Sequence, residues 1–329
     1  MNSSSAIAPA SISRWPHRLA LATVLAAIPL LLMGGTVTTI EAGMSIDGWL
    51  VLEPGRGDHF LLFYPLEKWF RDDGTFSEHT HRLFGALVGM LSIATVVAAL
   101  RSAVGGRARL WSTIGLVAVS AQGVLGGFRV LENSPELAFL HGVFAQIVFA
   151  ILVAAAVMLS PRYRAATSAP CTTATSLRRA SLATVAVTFI TIFAGAWLRH
   201  SSSHPLLGIH ILGVIGTAAM AFKLAGRLRR ASEIEDGHDR KPLRGSAKRI
   251  HALLGTQIAL GFGAFWIVFM VVGTDVPEIH QSILPTLHVL VGALVLGQLV
   301  AASMWAHRLL APQPTELAPT EPKASEGPA

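Results

Sequence analysis

Four histidines open four different apolar segments of this chain. His81, His141, His210 and His288 begin the glycine-studded runs His81-Arg-Leu-Phe-Gly-Ala-Leu-Val-Gly, His141-Gly-Val-Phe-Ala, His210-Ile-Leu-Gly and His288-Val-Leu-Val-Gly. An ionisable side chain inside a membrane span is costly and generally has a partner or a ligand. Four imidazoles at matched depth imply two bis-histidine metal sites, and in a helical bundle such pairs suit haem iron. Glu78 lies three residues before His81, on the same helical face. It is placed to orient the imidazole, to accept a proton or to cap the helix. The third ligand has two candidates. His204 keeps the His-x-x-x-Gly spacing of His81 and His288. His210 lies about 9 Å deeper and is the assignment made here. His59, His79, His200 and His280 read as surface residues of outer loops, His251 as lying at the wrong depth, and His17, His238 and His307 as solvated or interfacial groups.

The elements that must carry these side chains are transmembrane helices. Of the 329 residues, 52% are hydrophobic and 14% charged, a composition that points to a polytopic all-α membrane protein rather than a soluble domain. Eight segments are long enough to span, near 18–40, 80–100, 110–130, 139–160, 179–199, 205–225, 251–273 and 284–307. The first is too long for a removable signal peptide. The single cysteine, Cys171, excludes an intramolecular disulfide, a cysteine-held cluster and covalent haem attachment.

The net charge of +7 reflects topology, not nucleic-acid binding. One set of loops carries 20 of the 26 basic residues; the other carries only Arg56, Lys68, Arg71, Arg82, Arg129 and Arg199. The lysine and arginine bias places both termini in the cytoplasm and the four histidines toward the outer face. The expected organisation is a cytoplasmic tail (1–17), a four-helix bundle (18–160), a cytoplasmic linker (161–178), a second four-helix bundle (179–308) and a disordered tail (309–329).

A repeat relates the two halves. Gln122-Gly-Val-Leu-Gly126 matches Gln257-Ile-Ala-Leu-Gly261, and Leu32-Met-Gly34-Gly35 resembles Phe193-Ala-Gly195-Ala; each precedes a histidine-bearing helix. Four spans per half make the repeat parallel. Its glycines allow close helix approach or leave room for a flat macrocycle. The outer loop at 41–78 holds Trp49, Phe60, Phe63, Tyr64, Trp69 and Phe70. These fit an interfacial aromatic belt or a lid over an outward-facing site. Glu78-x-x-His81 also resembles half of a di-iron site, but the spans lack the further carboxylates such a site needs.

The ordered motifs resemble the heme A synthase family. They are Gly34-Gly35-Thr-Val-Thr, Gly43-Met-Ser-Ile-Asp-Gly-Trp49, Glu78-His-Thr-His81-Arg82, Gln122-Gly-Val-Leu-Gly-Gly127-Phe-Arg129-Val, Leu140-His141 with Ala145-Gln146, Gln257-Ile-Ala-Leu-Gly261 and Leu287-His288. The resemblance spans 18–307. It implies an inner-membrane enzyme that oxidises the C8 methyl of heme O to the formyl of heme A through a hydroxylated intermediate, supplying haem for terminal oxidase assembly. It further implies substrate haem (heme O, then heme A) between His81 and His141, heme B between His210 and His288, and Glu78 as the catalytic or orienting carboxylate. Arg82 and Arg129 then suit haem propionates or interfacial anchoring. Expected partners are heme O, membrane lipid, a heme O synthase and an electron donor, with oligomerisation open. Two departures stand out: the outer loops lack the cysteine pair of many members, and the segment Arg199-His-Ser-Ser-Ser-His204 is short. Iron held by two histidines requires either that one ligand leave in turnover or that the substrate haem be oxidised without oxygen at its own iron. The rival reading is a di-haem b-type electron-transfer cytochrome; a third is a haem-carrying assembly protein.

Overall fold

The computed structural model describes residues 13–201, 204–234, 238–271 and 278–313. Eight long helices dominate it: α1 (Trp15–Thr39), α2 (Asp73–Leu100), α3 (Gly106–Glu132), α4 (Pro135–Leu159), α5 (Ala174–Ser201), α6 (His204–Ser232), α7 (Lys241–Trp266) and α8 (Glu278–Leu309). All eight are long and apolar enough to cross a membrane. The chain is an all-α polytopic membrane protein.

Each helix begins or ends outside the apolar run that marks it in the sequence. Asp72 caps α2 by accepting from the Thr75 amide at 2.8 Å, eight residues before the expected start of that span. Ser134 accepts from the Leu137 amide at 3.2 Å and Pro135 supplies the first position of α4. Between α3 and α4 the chain turns on Asn133, which takes a left-handed conformation (φ 45°) that asparagine tolerates better than most residues. Polar caps of this kind lie beyond the hydrocarbon, so hydropathy alone underestimates helix length.

Helices α1–α4 pack as a ring of neighbours, as do α5–α8. The second ring closes on Leu177, Leu224, Leu228, Leu243, Ile250 and Leu299, all nearly inaccessible. The halves meet where α8 lies against α1 and α4, and α4 against α5. There Ala27, Phe149 and Ala293 share one buried cluster, and a Cβ added at Gly297 would stand 3.1 Å from Phe149. Small residues and tight van der Waals contact are the means of helix association in lipid, where the hydrophobic effect gives no drive. Large apolar side chains such as Leu25, Val117, Leu212 and Phe262 remain exposed, as lipid-facing positions require.

Residues 161–178, the expected linker, carry secondary structure of their own. Pro161–Ala165 is helical, and β3 (Ala169–Cys171) pairs in parallel with β4 (Leu310–Pro312), which follows α8 directly. Arg178 Nη2 donates to the carbonyls of His307 and Leu310. The linker is thus tied down by chain more than 130 residues away. Residues 314–329 of the expected tail lie outside the described residues.

The outer loop between α1 and α2 folds onto the first bundle. A short hairpin pairs β1 (Val51–Leu52) with β2 (His59–Phe60), and Ile46, Leu52, Leu61 and Tyr64 form a small core of their own. The aromatic residues divide. Tyr64 and Trp69 pack inward, while Phe60, Phe63 and Phe70 stay exposed. The loop is therefore a cap with an apolar outer surface.

Candidate haem site

The structure brings the four histidines together in two pairs. The ring centroids of His81 and His141 are 6.4 Å apart with planes at 79°. Those of His210 and His288 are 6.3 Å apart at 82°. Metal–imidazole bonds of about 2 Å to ring nitrogens roughly 1 Å from each centroid put two axial imidazoles about 6 Å apart. Both pairs fit one metal between two histidines, and the two separations agree within 0.1 Å across the repeat.

One local construction produces all four positions. Each imidazole lies against a glycine of the preceding long helix: His81 on Gly34, His141 on Gly126, His210 on Gly195 and His288 on Gly261. A Cβ at these glycines would approach the ring Cε1 to 2.8, 2.8, 2.6 and 3.1 Å respectively. One turn before each glycine stands a polar partner. His81 Nδ1–H donates to the Leu30 carbonyl (3.1 Å) and His210 Nδ1–H to the Thr191 carbonyl (3.0 Å). Because a carbonyl only accepts, these bonds place the proton on Nδ1 and leave Nε2 with its lone pair, the arrangement of a metal-binding histidine.

The other two histidines meet glutamines. Gln122 Nε2–H donates to the His141 carbonyl at 3.0 Å and lies 3.1 Å from His141 Nδ1. Gln257 Nε2 stands 3.4 Å from His288 Nε2. Three buried atoms here have no partner in the structure: Gln122 Oε1, Gln257 Oε1 and His288 Nδ1. Buried polar atoms are nearly always satisfied, so these are the features of a site built around something further.

Glu78 does not touch His81. Its Oε2 accepts from the Ile46 amide (2.9 Å) and its Oε1 from Arg82 Nη2 (2.6 Å). Arg82 also donates to the carbonyls of Gly48 (2.8 Å) and Ile46 (3.0 Å). Of the three roles open to Glu78 in the sequence, the structure displays a fourth, a buried anchor holding the 42–49 loop to α2. Arg82 is occupied by the same anchor, which weakens its assignment to propionates. Trp49 lies flat on Gly127, and the Arg129 guanidinium packs against Gly43.

Several peripheral readings change. His79 is not a surface residue: it lies in α2, is 2% exposed, and its ring packs 5.0 Å from both Tyr64 and Trp69. Its position in α2 reads from the Asp72 cap, a signal that hydropathy overrides. His200 belongs to α5, exposed but against Phe139. The side chains of His204 and His280 lie outside the described residues. Beside the loop anchor, Glu53 pairs with Lys68, and hydrogen bonding to that ammonium holds the Glu53 carboxyl below its ordinary value.

Fold and site together define a polytopic helical membrane protein with two half-buried histidine pairs. A family model described as cytochrome oxidase assembly protein (COX15-CtaA) matches residues 68–204. The match covers less than half of the chain and likens that stretch to proteins of cytochrome oxidase assembly. It contains Glu78, His81, Arg82, Arg129 and His141; His210 and His288 fall beyond it. No curated protein matches the chain.

Proposed function

We propose that the protein is a heme A synthase, oxidising the C8 methyl of heme O to a formyl group through a hydroxylated intermediate. The observation that carries this reading is the pairing of four histidines into two equivalent sites, in a chain whose residues 68–204 resemble proteins of cytochrome oxidase assembly. His81 and His141 would hold the substrate haem; His210 and His288 would hold a heme B. Bound there, heme B supplies the electron-transfer chemistry that an all-protein bundle lacks.

The chain's own contribution is placement. The carbonyls of Leu30 and Thr191 fix one imidazole of each pair. Gly34, Gly126, Gly195 and Gly261 let the rings lie against the neighbouring helix. Glu78 and Arg82 clamp the 42–49 loop to the helix that bears His81, and Trp49 of that loop packs on Gly127, next to the glycine under His141. Glu78 is the carboxylate on the helix that bears His81, and the reading gives it the catalytic or orienting part; its two donors hold that carboxylate at one position. The apolar tail of heme O suits a bundle open to lipid between helices, and the protein's place is the inner membrane with both termini cytoplasmic.

The test is extraction and chromatographic identification of the haems in protein purified from cells that supply heme O. Heme B together with heme O and either heme A or its hydroxylated intermediate establishes the synthase. Two unmodified heme B per chain with reversible reduction establishes the electron-transfer cytochrome instead.

A further inference from the structure

Three cationic or ionisable groups gather at the outer end of the first histidine pair, and two of them come from the second half of the chain. Arg199 lies in the last turn of α5, one turn beyond Gly195. It crosses to α1, where Nη2 donates to the Gly35 carbonyl (2.8 Å) and to Thr39 Oγ1. Gly35 adjoins Gly34, the residue on which His81 rests. The His200 ring packs 5.9 Å from that of Phe139, two residues before His141. Arg129 stands three residues beyond Gly126, on which His141 rests, and its guanidinium packs against Gly43, four residues after Thr39.

Among the described residues, neither Arg129 nor Arg199 forms an ion pair with a carboxylate. Glu78 already accepts from Arg82 and Ile46. Two guanidinium groups at a membrane helix end without a paired acid are costly. Arginine's planar fork is suited to bidentate carboxylate binding.

We propose that Arg129, Arg199 and His200 form a cradle for the paired carboxylates of the ligand held by His81 and His141, so that residues of both halves bind one ligand. The inference rests on the haem reading above; in that setting the carboxylates are the haem propionates. It assigns Arg199 and His200 to the substrate site and releases Arg82, which the loop anchor occupies.

The experiment uses the full chain with His210→Ala and His288→Ala, leaving the first pair as the ligating one. Heme B and its dimethyl ester, whose propionates are blocked, are titrated separately and the low-spin absorption band is read. The free acid should bind about tenfold more tightly than the ester, or better, as expected for charge-assisted hydrogen bonds. Arg199→Gln and Arg129→Gln should each bring that ratio toward one while leaving ester affinity unchanged. Thr39→Val removes one tether of Arg199 but keeps its charge, and should preserve the ratio. A parent protein that binds acid and ester equally overturns the cradle while leaving the haem reading intact; the guanidinium groups would then serve another anion, such as a lipid phosphate. A ratio that survives Arg199→Gln also overturns it. Failure of the parent to bind either form overturns the first-pair reading itself.

Discussion

The sharpest consequence of the site concerns four glycines rather than four histidines. Replacing each by alanine adds one methyl group directly against an imidazole. Ordinary carbon–carbon contact begins near 3.5 Å. From the distances at each glycine, the ring or helix must yield by about 0.9 Å at Gly195, about 0.7 Å at Gly34 and Gly126, and about 0.4 Å at Gly261. Metal sites tolerate distance errors of roughly 0.2 Å, so every substitution exceeds the tolerance, Gly195→Ala by most. Overpacking of this kind costs about 1–3 kcal/mol, which weakens haem retention by roughly 5- to 150-fold. The assay is haem per protein after purification, with low-spin optical and electron paramagnetic resonance signals measured for each variant. Losses should rank Gly195→Ala first and Gly261→Ala last, each confined to its own half. Gly226→Ala, where the added methyl meets open space, should lose nothing. Full low-spin haem in Gly195→Ala, or a greater loss from Gly261→Ala than from Gly195→Ala, would refute the reasoning.

The remaining expectations are narrower. His288→Ala and His210→Ala should each remove one low-spin haem and spare the other, whereas His204→Ala should remove none; loss of haem from His204→Ala alone reassigns the third ligand. Glu78→Ala should impair turnover more than haem content. Breaking a buried ion pair costs about 3–5 kcal/mol, so it should also open the 42–49 loop to protease, and haem loss without loop opening contradicts the anchor role. The Glu53 carboxyl is held below its ordinary value of 4.5 by Lys68. Its contribution to loop stability is therefore complete above that value and is lost as pH falls through the lower, folded one. Acrylamide quenching of the outer-loop tryptophans should rise in that window, and an equal rise in Glu53→Gln would discount the pair.

The helices were legible because a continuous apolar run longer than the hydrocarbon has few other solutions. Their ends were not, since caps such as Asp72 and Ser134 lie in polar sequence that hydropathy scores as loop. His79 was misjudged for the same reason. The histidine pairs were legible from matched depth and from the repeat, which also contained all four supporting glycines without showing what they faced. What stayed hidden is non-local. Nothing near residue 170 announces β4 at 310, and nothing near Arg199 announces Gly35 or Arg129. Local pattern carries periodicity and turns; pairing between distant segments is decided by the packing of whole helices.

The repeat also clarifies what duplication preserves. In both halves the first histidine of a pair rests on a glycine four residues after the residue whose carbonyl accepts from it, Leu30 with Gly34 and Thr191 with Gly195. The second rests on a glycine four residues after a glutamine, Gln122 with Gly126 and Gln257 with Gly261. The two supports are not equivalent. A backbone carbonyl accepts only, so the first imidazole has one tautomer and one orientation. An amide presents a donor or an acceptor according to which way it is turned, so the second imidazole keeps a choice. The two histidines of each pair are thus held with different stringency, and the sequence repeats that asymmetry in both halves. The family match ends at residue 204, yet the construction continues through residue 288. Geometry therefore extends the likeness of the halves into the stretch that the family match does not reach.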